Sequence, residues 1–473
     1  MGAFASRTIY DPATAGLRRD IRRYTLIINI VGVFAVASCP FWLGVLFFTS
    51  PRDYSYTSSL VCVPLLAIVY YAAVAHVAQR NLYLKRLLSA GLVAHMAVSS
   101  VYLWMGFYVY GASVDAFHYW TVGGQLTRDF TVVGWSAFHP PYWNTNLINN
   151  ICGIMMLLIG DGLPTLFITF ALAAFWGGFL FYRAFEIAFP DGHKWLYGVL
   201  VMLLPSILFW SSSLGKDALA QLFIGVTSYG FARFCRASGA SSGMICILGI
   251  VGMAAVRPHI AAMLAMGITV GYAFGKSQGG RMYVVARIFV IPLVLLGTFF
   301  LVRQAGQFVG IEGSNAQGGI NKANSLTQSS DIGGSAFSSG QSLPVRIAEA
   351  PLLLFRPLPW EVHNAMAAAS SIESTALLLL FWSRRRMIWS TIRQWRNPYT
   401  LFILVFCLLF SVAFAVATSN FGILVRERVM MVPIALMLVC AKPKSFKVRR
   451  LTTVRRSFLR VSAPIPNVDQ IQS

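Results

Sequence analysis

The chain predicts an all-α fold: a polytopic helical membrane protein of about twelve transmembrane helices, with interfacial helices in an external loop. Three observations lead there. Of its 473 residues, 57% are hydrophobic and only 11% charged. Apolar runs near 20 residues recur from one end to the other, the length an α-helix needs to cross about 30 Å of hydrocarbon. The charge is also segregated. With spans drawn by hydropathy, 28 of the 38 Lys and Arg fall on one side, with only 5 of the 16 Asp and Glu. That excess marks a cytoplasmic face, so the net charge of +22 belongs to membrane topology and not to nucleic-acid binding.

The elements follow in order. Residues 1–23 form a basic N-terminus, which holds Arg7, Arg18, Arg19, Arg22 and Arg23 against anionic lipid. They are polar where a cleavable signal peptide would be apolar, and the first apolar run is long enough to span. Residues 24–441 form one transmembrane domain. Its expected spans are 24–49, 59–78, 87–110, 163–185, 195–210, 218–234, 244–256, 260–274, 282–302, 365–382, 399–419 and 429–441. External loops lie at 111–145 and 303–363, and a basic tail fills 442–473. Both termini are then cytoplasmic. The segment 111–145 is rich in Trp, Tyr and Phe, as an interfacial helix is. The apolar residues 145–160 are short, as in a juxtamembrane or re-entrant helix. Residues 303–343 are rich in Gly, Ser, Asn and Gln and can bury little. Seven cysteines lie in or beside apolar runs without metal-ligand spacing, which predicts free thiols.

The polar groups of interest gather on the external side. Arg426 and Arg428 flank Glu427 between two apolar runs. Charge beside hydrocarbon is costly, and a guanidinium matches phosphate oxygens with two hydrogen bonds at once. The plain alternative is a pair of snorkelling anchors. Arg257 is a second candidate phosphate ligand, or a turn residue whose charge reaches water. Arg356 and Glu361 either line the substrate site or form a local ion pair that orders their loop. Lys216 and Asp217 precede an expected span, where Asp217 caps the helix with Lys216 as its partner, or binds substrate. Asp115, His118 and Tyr119 share a helical face by their i, i+3, i+4 spacing. Asp115 is a candidate general base with His118 assisting, and equally a helix cap. Glu373 reads as a buried contact between helices. His139 and His259 are isolated, and His363 accompanies Arg356 and Glu361. Chemistry on this face has no access to cytosolic nucleotides, and no nucleotide-binding or zinc-protease motif is present.

Asp115-Ala-Phe-His-Tyr-Trp120, a Pro-Pro-Tyr turn and a short apolar helix together resemble the first external loop of C-type membrane glycosyltransferases. Leu204-Pro-Ser-Ile-Leu-Phe-Trp-Ser-Ser-Ser-Leu-Gly-Lys-Asp217, Val256-Arg-Pro-His259, Leu354-Phe-Arg-Pro-Leu-Pro-Trp-Glu361 and the stretch from Asn420 to Pro433 resemble segments of bacterial exopolysaccharide and O-antigen polymerases. The resemblance covers roughly residues 100–435. It implies a bacterial inner (plasma) membrane enzyme of polysaccharide biosynthesis in the cell envelope. Such an enzyme moves sugar from a polyprenyl-phosphate- or polyprenyl-pyrophosphate-linked donor to a glycan acceptor on the extracytoplasmic face, with membrane lipids around it and no nucleic acid. In that family the acid of the first loop is the base or a metal contact. Many members pair two acids there, whereas Asp115 stands alone, so a divalent metal ion is an open cofactor and no metal ligands are assigned. A transporter or flippase of lipid-linked oligosaccharide is the alternative, and an acyltransferase lacks a His-Asp pair on one helix.

Overall fold

The computed structural model describes residues 57–79, 81–138, 140, 143–236, 239–275, 348–362, 364–418 and 420–442. The expected spans 24–49 and 282–302, the loop 303–343, both termini, His139 and His363 lie outside the described residues. What is described is helical, with no strand among those residues. The helices are α1 (Thr57–Val77), α2 (Leu82–Tyr108), α3 (Asp115–Val133), α4 (Asn144–Ile159), α5 (Leu163–Ala188), α6 (Lys194–Leu203), α7 (Pro205–Ser211), α8 (Lys216–Arg236), α9 (Ala240–Val256), α10 (Pro258–Phe274), α11 (Ala365–Ser383), α12 (Arg385–Ile392), α13 (Pro398–Ala417), α14 (Phe421–Arg428) and α15 (Val432–Cys440). Two short 3₁₀ turns, Ala350–Phe355 and Pro359–Glu361, precede α11.

Their limits follow from local chemistry. Asn81, Asn364 and Asn420 cap α2, α11 and α14, each accepting a hydrogen bond from a backbone N–H of the first turn. Pro205, Pro258 and Pro398 each stand at the first position of a helix, where their missing N–H costs nothing.

Among the described residues, five helices are long and apolar enough to cross a membrane: α1, α2, α5, α11 and α13, all but α2 at 18–26 residues. The bent pair α6 and α7 makes a sixth if it is one broken span and not a re-entrant loop. The exposed faces agree with hydrocarbon surroundings. Leu60, Val61, Leu65, Ile68 and Val69 of α1, and Met244, Ile247, Leu248 and Val251 of α9, all point outward, more apolar surface than a water-facing protein leaves open. The count of twelve is not what the described helices supply. Residues 195–210, expected as one span, bend by 44° between α6 and α7, where Pro205 removes a backbone donor. α9 and α10 have 17 residues each. The nine-residue α15 reaches only about 14 Å at 1.5 Å per residue, and it is buried along its length by other helices.

At the centre, small residues let backbones approach. A Cβ on Gly177 of α5 would lie 2.5 Å from the Gln221 carbonyl of α8, and one on Gly225 would lie 2.5 Å from the Gly177 carbonyl. Gly230 and Gly249 do the same between α8 and α9. Such approaches are how apolar helices associate where no hydrophobic force separates helix from lipid. At one end, the His193 N–H donates to the Cys440 carbonyl at 2.8 Å and the Tyr399 hydroxyl to the Ser228 carbonyl at 3.3 Å. These bonds gather the ends of α6, α13 and α15 with the latter half of α8. Among the described residues, Lys85, Arg86, Arg183, Lys194, Arg233, Arg236, Arg384, Arg385, Arg386, Arg393, Arg396 and Lys442 lie at or beside the helix ends on that side. The opposite side holds the starts of α3, α8, α10 and α14.

Candidate functional site

The Arg257–Pro258 break between α9 and α10 is where the site begins. Arg257 was expected either to bind phosphate or to reach water from a turn; its side chain is instead 10% exposed and paired twice. One terminal nitrogen donates to Asp217 Oδ1 at 2.6 Å, and the other meets Glu427 of α14. Asp217 in turn accepts from Nε of Arg426 through Oδ2, at 2.5 Å. The terminal nitrogens of Arg426 stand 3.4 and 3.5 Å from Asp115 Oδ2 at the start of α3, and its guanidinium lies 6.0 Å from the Trp210 ring. The result is an alternating series, Glu427–Arg257–Asp217–Arg426–Asp115, assembled from α14, the α9–α10 junction, α8 and α3.

A cavity of about 220 Å³ opens on this series. Asp115, Asn144, Lys216, Arg257, His259, Arg426 and Glu427 line it, with Val256 and Pro258, while Asp217 sits behind the wall at 5% exposure. Burial by itself raises the Asp217 carboxyl, but the guanidinium groups of Arg426 and Arg257 outweigh it and hold the group below its ordinary value. Burial, Arg257 and Lys216 bring His259 down to about 3, so it is neutral at any physiological pH.

Lys216 departs from its expected role. Its Nζ donates to Asn144 Oδ1 at 2.5 Å and Thr145 Oγ1 at 2.9 Å, and among the described residues no carboxylate lies in salt-bridge range of it. Burial, with Arg257 next, lowers its pKa. The two caps expected here are absent. Val114, not Asp115, precedes α3, and Asp115 is the first helical residue with its side chain 61% exposed. Asp217 lies inside the first turn of α8 and spends both oxygens on arginines.

His118 does not join Asp115 at the cavity. It is exposed on α3 and its ring neighbour is Tyr119, 6.1 Å away. Tyr119, one turn on from Asp115, is buried.

Arg428 and Arg356 also lie elsewhere. Arg428 is 0% exposed. Its NH1 donates to the carbonyls of Arg356 at 2.5 Å and Leu354 at 3.2 Å, and to Ser374 Oγ at 2.8 Å. Its NH2 stands 3.6 Å from Glu373. Glu373 accepts from the Ser206 N–H at 2.7 Å, so the expected contact between helices ties α11 to the start of α7. Arg356 pairs with Glu361 at 2.5 Å and with Glu349 at 3.5 Å, the local ion pair that was one of its two readings. Glu361 also accepts from the Leu358 N–H at 2.8 Å, which ties down the turn.

Three contributors were not singled out from sequence: Asn144, Thr145 and the pairing role of Glu427. Asn144 takes a positive φ of 58°, a conformation that asparagine tolerates better than most side chains. An Asn two residues after the Pro-Pro-Tyr break was the available signal. Among the described residues no group of three or more His, Cys, Asp or Glu is placed to hold a metal ion. The six described cysteines are free, and Cys39 lies outside the described residues.

No family model matches this chain, and no curated protein or solved structure matches it.

Proposed function

We propose that this protein is a membrane glycosyltransferase or polysaccharide polymerase, acting at the outer face of a bacterial inner membrane on a sugar carried by a polyprenyl phosphate or pyrophosphate. One observation carries the reading. A cavity lined by Lys216, Arg257 and Arg426, with an accessible carboxylate at Asp115, stands at the helix ends opposite the concentrated Lys and Arg. The positive-inside pattern supports a cytoplasmic assignment for the basic end, and on that assignment the cavity faces the side where a lipid-linked donor would be presented.

The reaction then follows from the groups. The acceptor hydroxyl attacks the anomeric carbon, the bond from that carbon to the phosphate oxygen breaks, and the phosphate leaves with the electron pair. Asp115 accepts the hydroxyl proton as general base. Lys216 and Arg426 bind the leaving phosphate, where preorganised charge does most to lower the barrier. Arg257, locked between Asp217 and Glu427, positions Arg426 through their shared carboxylate and does not itself turn to the ligand.

The test is transfer of labelled sugar from a polyprenyl-linked donor pool by protein reconstituted in vesicles. Wild type is expected to build product. Arg426→Ala is expected to insert normally and lose at least about 100-fold in rate, the loss typical of removing one preorganised charge. Unchanged turnover in that variant sinks the assignment.

The broken helices favour a second reading. α9 and α10 interrupt at a buried arginine, and α6 and α7 bend at Pro205, as discontinuous helices do at transporter binding sites. A flippase would move the lipid-linked sugar between leaflets and leave it covalently unchanged, which the same vesicles report.

A further inference from the structure

Resting on that reading for its site but not for its chemistry, we infer that the cavity takes a lipid phosphodiester with a single negative charge, held between Lys216 and Arg426 in the place where Asp115 now meets Arg426.

The charge arrangement leads there. In the series Glu427–Arg257–Asp217–Arg426–Asp115 each guanidinium already has two carboxylates. The inner links are short, 2.6 and 2.5 Å, and both end on the buried Asp217. The last link is not: Asp115 stands 3.4 Å from Arg426 and is 61% exposed, longer than the 2.7–2.9 Å of a good charge-assisted bond. Asp115 is therefore the carboxylate that an incoming anion displaces at least cost. Doing so exposes the two terminal nitrogens of Arg426, a fork that fits two phosphate oxygens.

Lys216 supplies the remaining charge. Its partners, Asn144 and Thr145, are neutral, and Lys216 lines the same cavity together with Asn144. An anion between Lys216 and Arg426 thus meets one cation with no carboxylate in salt-bridge range among the described residues and one whose weak partner leaves. A phosphodiester brings one negative charge, which Lys216 balances. A diphosphate diester brings two, and the second finds both arginines already committed through Asp217 and Glu427. Removing Asp115 changes that count by one, so the same geometry fixes the sign of a mutational effect.

The experiment measures binding by calorimetry on the full chain in detergent micelles, without turnover. The probes are a citronellyl phosphosugar (phosphodiester), the matching citronellyl diphosphosugar, and short-chain phosphatidylglycerol as a phosphodiester from another source. The isoprenyl phosphodiester is expected to bind at least about tenfold tighter than the diphosphate. Lys216→Ala is expected to weaken it at least about tenfold, and Lys216→Arg to retain it. Asp115→Asn is expected to tighten the phosphodiester severalfold and to narrow its advantage over the diphosphate, whereas a merely structural Asp115 would give weaker binding. Equal or tighter binding of the diphosphate to wild type overturns the inference, as does weaker phosphodiester binding in Asp115→Asn. Phosphatidylglycerol binding as tightly as the isoprenyl ester supports the phosphodiester site and names phospholipid as its source. Binding as expected with no sugar transfer leaves this inference standing and removes the enzyme reading.

Discussion

Arg426 and Arg428 sit two residues apart at the end of the same short helix, yet they belong to two different regions of the molecule. At about 100° per residue, positions i and i+2 on a helix point to nearly opposite sides. Arg426 faces the cavity and shares Asp217 with Arg257. Arg428 faces the interior, fully enclosed, and holds two backbone carbonyls, Ser374 and, more distantly, Glu373. One region spends its charge on groups that a ligand can replace. The other spends it on joining α14, α11 and the 3₁₀ turn at Ala350–Phe355. A pair of arginines in a sequence is thus not a pair in space unless the helical spacing makes it one.

The largest effect that separates the two regions is on folding. Arg428→Ala leaves the Glu373 carboxylate inside the protein without its cation and strips two backbone carbonyls of their donor. Breaking a buried pair on one side costs roughly 3–5 kcal/mol, enough to abolish a monodisperse peak in detergent gel filtration. Arg426→Ala leaves Asp217 paired with Arg257, so its unfolding temperature is expected to fall much less than that of Arg428→Ala. Loss of folding in Arg426→Ala but not in Arg428→Ala would reverse the assignment of the two regions.

Asp217→Asn is expected to come next. It removes the anion shared by two arginines, at a cost of about 2–3 kcal/mol for hydrogen bonds to charged groups. The pH dependence carries a sign. The folded carboxyl lies below its ordinary value because Arg426 and Arg257 outweigh burial, so folding binds fewer protons there than the unfolded chain, whose carboxyl titrates near 3.9. Its stabilisation is therefore complete above about pH 4–5 and fades as pH falls through the folded pKa. Thermal unfolding followed from about pH 8 down to 3 is expected to show a plateau with an acid limb. In Asp217→Asn the plateau is lower and this contribution to the limb is gone.

Lys216→Ala is expected to hardly move stability, since among the described residues the ammonium bonds the neutral Asn144 and Thr145 and its burial disfavours the charge. It is expected to lose at least about tenfold in transfer in the vesicle assay, the loss of one charge at the phosphate. A large drop in unfolding temperature with normal turnover would move Lys216 into the structural region beside Arg428.

How much of this was readable beforehand depended on distance along the chain. Helix class came from runs of apolar residues, and an apolar run is a local quantity. The starts of α10, α11 and α13 at Pro258, Ala365 and Pro398 fall within two residues of the expected 260, 365 and 399, whereas α2 begins at Leu82 and not at 87, and α7 begins at Pro205 inside a run expected as one span. The span count is less local: α9 and α10 have 17 residues each, at the short end of what crosses a bilayer, and the nine-residue α15 is enclosed by other helices. Asp217 looked like a cap because a carboxylate beside a helix start most often is one, and only the fold brings Arg426, 209 residues away, to its second oxygen. Lys216 looked like its ion partner for the same reason, until Asn144, 72 residues back, claimed the ammonium.

His118 is where helical spacing reached its limit, and the smallest effect is expected there. Spacing of i and i+3 put it on one face with Asp115, but a face is about 100° wide and the cavity takes only its edge. Tyr119 turns inward and is buried, while His118 stays outside the groups that line the cavity. His118→Ala is therefore expected to keep transfer within about threefold and to keep the unfolding temperature, since surface substitutions away from such features cost within about 0.5 kcal/mol. A loss of 100-fold or more would draw His118 into proton transfer with Asp115. It would also mean that α3 rotates on the cavity when substrate binds, because the ring does not reach Asp115's side of the wall from where it now stands.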